Sequence, residues 1–219
     1  MNMNFDQARF NMVEQQVRPW EVLDAQVLGL FESIRREDFV PLHYRKMAFA
    51  DLPVPLDHDQ FMMKPVVEGR MLQALEIKPD ETALEIGTGS AFVTACLAHL
   101  ALRVVSVDIF ETFTSGAELK LKEKDIENVE LETGDAMGEW QPEQAHDVVV
   151  VTGSVKVVPE KFMGWVNPGG RLFAVVGESP AMEAKIFTRL NVSDWSEESL
   201  FETDLPRLVN ATQAPQFEF

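Results

Sequence analysis

The sequence predicts an α/β fold, a doubly wound and mostly parallel sheet preceded by helices. Three observations carry that prediction. From about residue 82 onward, short apolar runs rich in Val alternate with segments of helical spacing, the order that builds a parallel sheet with crossover helices. Between the first run and the first such helix stands a tight glycine turn, Gly87-Thr88-Gly89-Ser90, at the strand end where open α/β sheets bind ligands. Finally, 219 residues at 46% hydrophobic composition suffice for one large domain with a substantial core.

The elements follow in order. Asp6 is placed to cap a first helix with Phe10 and Val13 on one face, and Asp24 a second whose stripe is Val27, Leu28, Phe31 and Ile34. Residues 49–64 are rich in Pro and Asp and read as a loop. Pro65 suits the first turn of a helix running to about Leu75, because its missing N–H has no helical partner there anyway. Strands are expected at 82–86, 104–107, 129–131, 147–151 and 172–176, and helices at 92–100, 113–124 and 159–166. Asn167-Pro168-Gly169-Gly170 is a turn signal ahead of the last of these strands. Alternation at Ala184, Ile186, Thr188 and Leu190 favours an antiparallel edge strand. The tail, Gln213–Phe219, either packs its two Phe residues or stays unstructured. A single domain over 1–219 is expected, with helices and a substrate-side loop in 1–78, a ligand-binding core in 79–180, and strands and tail in 181–219.

The formal charge of −17 disfavours nucleic-acid backbones and anionic membranes as partners. The one cysteine, Cys96, falls in the apolar pattern of a helix and reads as a core residue; it leaves no intrachain disulfide to form. The N-terminal residues lack a signal-peptide pattern, and the longest apolar stretch is broken by His99 and Arg103, so a cytoplasmic protein without a membrane span is expected. Asp57-His58-Asp59, taken as extended chain, points its Asp side chains one way and His58 the other, a poor metal site. His43, His99 and His146 show no partner pattern, and no metal is expected.

The ligand is read from the residues around the turn. Gly87-x-Gly89-x-x-Phe92 lacks the third glycine of a dinucleotide fingerprint, where helix and strand pack closely. Glu85 two residues before Gly87 instead fits acidic-x-Gly-x-Gly, the first motif of S-adenosylmethionine-dependent methyltransferases. A buried-strand run, Val104-Val105-Ser106-Val107, ends in Asp108, followed by Ile109; a carboxylate there accepts from ribose hydroxyls. In Thr133-Gly134-Asp135-Ala136, the carboxylate is placed to accept from an adenine amino group while Ala136 leaves room for the ring. The candidate cofactor residues are therefore Glu85, Gly87, Thr88, Gly89, Ser90, Asp108, Ile109, Asp135 and Ala136. Each has a plainer reading: Glu85 as a strand residue, Asp108 as a helix cap, Asp135 as a turn residue.

With these residues in view, the chain resembles the protein-L-isoaspartate O-methyltransferase family over most of its length. Met12-Val13-Glu14-Gln15-Gln16-Val17 is similar to that family's N-terminal helix motif, and Val22-Leu23-Asp24 through Arg36-Glu37-Asp38-Phe39-Val40-Pro41 to its second helix and following loop. Ala50–Leu56, Leu84–Ser90, Val151-Thr152-Gly153-Ser154, Val158-Pro159, Gly169-Gly170-Arg171-Leu172 and Val175-Val176-Gly177 continue the likeness. The resemblance implies a Rossmann-like methyltransferase fold that binds S-adenosylmethionine. It also implies methyl transfer to the free carboxylate of an isoaspartyl residue in a damaged protein, with the ester collapsing to a succinimide.

The chain departs from the family pattern in one segment. Members carry Gln-Thr-x-Ser-x-Pro, whose Ser hydroxyl sits beside the acceptor carboxylate; here the stretch is Gln60-Phe61-Met62-Met63-Lys64-Pro65. Phe61 and Met63 replace both hydroxyls, and Ala91-Phe92 stand where Gly and Tyr are usual. The catalytic residue is therefore unassigned, with Met63 at the family Ser position and Gln60 and Lys64 as its neighbours. Lys64 either offers a cation to the acceptor or is a solvated lysine before a helix. Met62 and Met63 either line an apolar pocket or pack in the core. Two alternatives stay open beside isoaspartyl methylation: a different, apolar small-molecule acceptor, or a cofactor-binding homologue without turnover. A dehydrogenase is the more distant possibility.

Overall fold

The computed structural model describes residues 3–211, so the tail segment Gln213–Phe219 lies outside the described residues. The chain enters through α1 (Phe5–Met12), which runs into a π-helical turn over Val13–Val17. Its cap is Asn4, whose side chain accepts from the Gln7 N–H at 3.2 Å, satisfying a donor that the helix start leaves free. Asp6, expected as the cap, lies two residues further on, within the first turn, and pairs with Arg9 at 3.0 Å. Phe10 is exposed rather than buried, because the inward face is set by Phe5, Ala8, Arg9 and Met12 at helical spacing. Helix α2 (Ala25–Ser33) starts as expected, with Asp24 accepting from the Val27 N–H at 2.9 Å, and its stripe Val27, Leu28, Phe31 and Ile34 is buried.

The expected loop at 49–64 contains a two-residue hairpin, β1 (Val54–Pro55) against β2 (Phe61–Met62). His58 and Asp59 both adopt left-handed backbone, φ 57° and 55°. Asp57-His58-Asp59 is therefore the hairpin's turn and not extended chain, and His58 stacks on Phe110 at 4.1 Å between ring centroids. Helix α3 (Pro65–Leu75) follows with the expected boundaries.

Strands β3 (Thr82–Ile86), β4 (Arg103–Asp108), β5 (Val129–Thr133), β6 (His146–Val155), β7 (Val166–Glu178), β8 (Ala181–Arg189) and β9 (Trp195–Thr203) form one sheet in the order β5-β4-β3-β6-β7-β8-β9. The first five are parallel and the last two antiparallel, as the sequence pattern implied. Asn167–Gly170 lies within β7 rather than before it. It is a bulge, with Gly169 at φ +84° and the register slipping between His146 and Val148. The helix expected at 159–166 is only α6 (Glu160–Gly164), because Val166 already pairs with His146.

Residues alternate across the sheet. Ala83, Val104, Val148, Val150, Phe173 and Val175 face a core built with α2, α3, α4 (Phe92–Leu100) and α5 (Glu111–Lys122). Leu84, Ile86, Val105, Val107, Val149, Val151 and Leu172 face Phe162 and Trp165 on the other side. The chain order reverses between β3 and β6, and this opens a crevice at their carboxyl ends.

One buried cation joins the N-terminal helices to this sheet. Arg36 is fully buried and forks onto Glu68 of α3 (Nε–Oε2 3.1 Å, Nη2–Oε1 3.0 Å). It also donates to the Met63 carbonyl at 2.5 Å and lies over the Phe92 ring at 5.1 Å. Phe92 in turn meets Phe31 and Phe39 edge-on at 5.7 Å each. Replacing one partner of such a pair leaves a buried charge uncompensated, at about 3–5 kcal/mol. Glu68→Leu is therefore expected to cost about that much in chemical denaturation, and adding Arg36→Met is expected to restore part of the loss. A purely additive double variant would contradict this coupling.

Candidate active site

The crevice is a cavity of about 570 Å³. All nine residues proposed from the sequence for cofactor binding line it: Glu85, Gly87, Thr88, Gly89, Ser90, Asp108, Ile109, Asp135 and Ala136. Gln60, Met63 and Lys64 line it too, so the structure brings both predicted groups to one place.

Its floor is the turn after β3. Gly87 has φ +102°, and a Cβ there would collide with the Thr152 hydroxyl, so the position demands glycine on two counts. Asp108, at the end of β4, accepts from the Gly89 N–H at 2.9 Å and the Phe110 N–H at 3.0 Å. Burial raises its carboxyl above the usual range in spite of those donors. Asp135 accepts from the Met137 N–H at 2.9 Å and from the Asn210 amide at 2.8 Å. The Lys120 ammonium reaches the Ser90 carbonyl at 3.0 Å and the Phe39 carbonyl at 3.3 Å, tying the turn to the N-terminal layer. Ala91 sits in the left-handed region, φ 68°, which explains why a glycine suits that position better. Phe92 turns away from the cavity into the core, where it is fully buried.

Glu85 is fully buried on the α4 face of β3. One oxygen accepts from Thr94 at 2.5 Å and from Ser106 at 2.6 Å, and the other, Oε1, has no partner among the described residues. Burial pushes its carboxyl up to about 8; the two hydroxyls only partly oppose this, and the Asp108 charge adds to the rise.

The wall opposite the turn was not foreseen. Strand β3 stops pairing with β6 at Ile86–Val151, and the chain at 205–208 takes its place further along. The Ser154 N–H donates to the Pro206 carbonyl and the Leu208 N–H to the Ser154 carbonyl, both at 2.9 Å. This brings Arg207 and Leu208 to the cavity beside Thr152 and Gly153. No periodicity marks 204–209, since its partners lie some fifty residues upstream. Leu56, Phe61, Met62 and Met63 supply an apolar side; Met62 and Met63 are also buried in the core, so their two sequence readings hold together.

The family model described as Protein-L-isoaspartate(D-aspartate) O-methyltransferase (PCMT) matches residues 8–204. A protein-L-isoaspartate O-methyltransferase of Opitutus terrae is 34% identical over 192 residues, covering 85% of this chain and 82% of the relative. One of Petrotoga mobilis is 32% identical over 189 residues, covering 86% and 89%. Among solved structures, a Plasmodium falciparum chain described as a protein-L-isoaspartate O-methyltransferase in complex with S-adenosyl-L-homocysteine superposes with TM-score 0.79 at 17% identity, covering 94% of this chain and 99% of that one. That likeness speaks to the fold.

The buried carboxyl at the turn has a stability consequence. A carboxyl whose folded pKa is raised favours the fold below its unfolded value, near 4.5, and loses that advantage as pH climbs to about 8. Glu85→Gln mimics the protonated form. The stability of the natural chain relative to this variant is expected to fall by up to about 1.4 kcal/mol per pH unit across that window. Urea titrations at several pH values check it; a difference independent of pH would contradict the assignment.

Proposed function

The chain belongs to the protein-L-isoaspartate(D-aspartate) O-methyltransferase family, and from that premise we propose that it binds S-adenosylmethionine in the crevice and methylates the free carboxylate of isoaspartyl residues in damaged proteins. The observation that carries this reading is the convergence of Gly87, Asp108 and Asp135 on one cavity at the sheet's switch point. The cavity's chemistry fits the cofactor. A bare main-chain turn that no Cβ could occupy leaves room for a close-lying ligand, and an unpartnered Glu85 oxygen suits a cationic one. Gly87 and Gly89 would hold the amino-acid portion, Asp108 and Ile109 the ribose, and Asp135 and Ala136 the base. When bound, the cofactor supplies a methyl group activated on a sulfonium.

The chain's own contribution is placement. A carboxylate acceptor is already ionised near neutral pH, so no general base is needed. The acceptor oxygen forms the new bond to carbon while the carbon–sulfur bond breaks and its electron pair stays on sulfur. No proton moves. Alignment of the two reactants can supply roughly 7–11 kcal/mol of barrier reduction. Leu56, Phe61, Met62 and Met63 would keep water from the reacting atoms. The absence of a hydroxyl at Met63 thus removes a donor and no proton-transfer group. The same apolar side favours a second reading, a smaller acceptor carrying a carboxylate and a greasy body. Among the described residues no helix is long and apolar enough to cross a membrane; a cytoplasmic setting is part of the proposal, supported by the single, buried Cys96.

The direct test is transfer of labelled methyl from S-adenosylmethionine to an isoaspartyl peptide, with the aspartyl peptide as control. Base-labile label on the isoaspartyl peptide alone is expected. Label appearing instead on a metabolite fraction would move the proposal to the second reading, and tight nucleoside binding with no transfer to any acceptor would refute catalysis. Gly87→Ala is expected to reduce S-adenosylhomocysteine affinity at least tenfold in calorimetry, because the new methyl must displace Thr152 or the turn. Unchanged affinity would put the cofactor elsewhere.

A further inference from the structure

An acceptor carboxylate must find positive charge in a cavity that is otherwise acidic. Asp108, Asp135 and Asp204 line it, beside Glu68, which Arg36 pairs, and Glu85, whose carboxyl burial pushes up to about 8, against two cations among the described residues, Lys64 and Arg207. Neutral donors are largely committed. The Thr152 hydroxyl donates to the Ile86 and Gly87 carbonyls, that of Ser179 to Asp204, and that of Thr88 is paired with Ser106. The Gln60 amide donates to the His58 carbonyl, and Met63 has nothing to donate. Ser90 lies on the glycine turn, at the end assigned to the cofactor.

Arg207 stands apart from this inventory. Its backbone is pinned to β6 on both sides, through Pro206 and Leu208 to Ser154. Its Nη2 donates to the Gly177 carbonyl at 3.0 Å, which anchors one edge of the guanidinium at the end of β7. Its Nη1 has no hydrogen-bond partner among the described residues and is covered as the side chain stands, so a rotation of the guanidinium about its Gly177 anchor is what brings it to the cavity that Arg207 lines. A buried donor without an acceptor is unfavourable, and an arginine fork matches a carboxylate with two parallel hydrogen bonds. Topology gives the direction. Asp135 follows β5, Asp108 ends β4 and Gly87 follows β3, so the nucleoside lies over that half of the sheet. Arg207 lies across the switch point, over β6 and β7, on the half left for the acceptor. Lys64 is half-exposed, and its ammonium has no ion pair among the described residues to hold it in one place.

We propose that Arg207 is the specificity residue for the acceptor, turning its free guanidinium edge onto the carboxylate that receives the methyl group. This rests on the methyl-transfer reading above. It gives the site a donor that Met63 cannot provide, and it places carboxylate recognition on the C-terminal segment.

The test is calorimetric titration of the full chain, saturated with S-adenosylhomocysteine, with a short isoaspartyl peptide. Arg207→Met is expected to weaken peptide binding roughly ten- to a hundredfold, the span for losing hydrogen bonds to a charged group, while nucleoside affinity stays within about twofold. Arg207→Lys is expected to recover part of the loss, since it keeps the charge without the fork. In steady-state kinetics the loss is expected mainly in KM. Unchanged peptide affinity in Arg207→Met overturns the proposal, and so does a parallel loss of nucleoside affinity, which would mark a structural role. A panel of linear and aromatic monocarboxylates separates the two readings. If the natural chain ignores the peptide but binds one of these and Arg207→Met does not, Arg207 stands and the isoaspartyl acceptor falls. If the natural chain binds no carboxylate, both fall.

Discussion

Arg36 is the constraint on which the arrangement of the cavity depends. It is a fully buried guanidinium whose partners come from four separate places in the chain: Glu68 on α3, the Ala48 and Met63 carbonyls, and the Phe92 ring at the start of α4. A charge taken out of water tolerates few geometries, so each partner is held where the guanidinium requires it. Through Met63 it positions the apolar wall of the cavity, and through Phe92 the helix that follows the glycine turn. Burial opposes the charge of both, lowering the Arg36 pKa and raising that of Glu68, while each eases the other's penalty. The net stabilisation of such a pair is modest, and its larger effect is to specify one packing of the N-terminal helices on the sheet.

The same low-dielectric interior shapes the turn. Glu85 and Asp108 lie on neighbouring strands, both buried and both raised by burial, and the Asp108 charge further disfavours that of Glu85. Asp108 spends its oxygens on the backbone that forms the turn, so the residue proposed to meet a ribose also builds the loop that receives the rest of the ligand. Glu85 keeps one oxygen unpaired. A cationic ligand would relieve both carboxyls, which gives the cavity a preference for positive charge at one end; Arg207 supplies the opposite preference at the other.

The departure at Phe61-Met62-Met63 looks different once placed in three dimensions. The three residues carry no polar side chain, yet Met63 offers its carbonyl to Arg36 and Met62 its sulfur at 3.3 Å. The segment is thus locked into the core by the Met63 carbonyl and the Met62 sulfur, while all three residues also line the cavity. Chemistry that needs alignment and dryness more than proton transfer accepts such a wall.

Much of this was legible in one dimension. The ranges of β3, α3 and α4, the Asp24 cap and the parallel-then-antiparallel sheet follow from period and turn chemistry, and the short motifs picked out nine residues that all line the one cavity, because each signal depends on neighbours within a few residues. Where local signals competed, the reading slipped: Asn4, two residues earlier, outcompeted Asp6 as a cap, and Asn167–Gly170 became a bulge because β6 was there to pair with it. His58 and Asp59 left the extended conformation for the same kind of reason, since a hairpin between 54–55 and 61–62 needs a tight reversal. What only the tertiary structure decided lies at long separation: Arg36 on Glu68, Lys120 on Ser90, and the 205–208 segment filling the place that β3 leaves beside β6. Such contacts join residues whose local patterns are unremarkable, and they exist because a buried charge or an open strand edge must find a partner wherever the fold brings one.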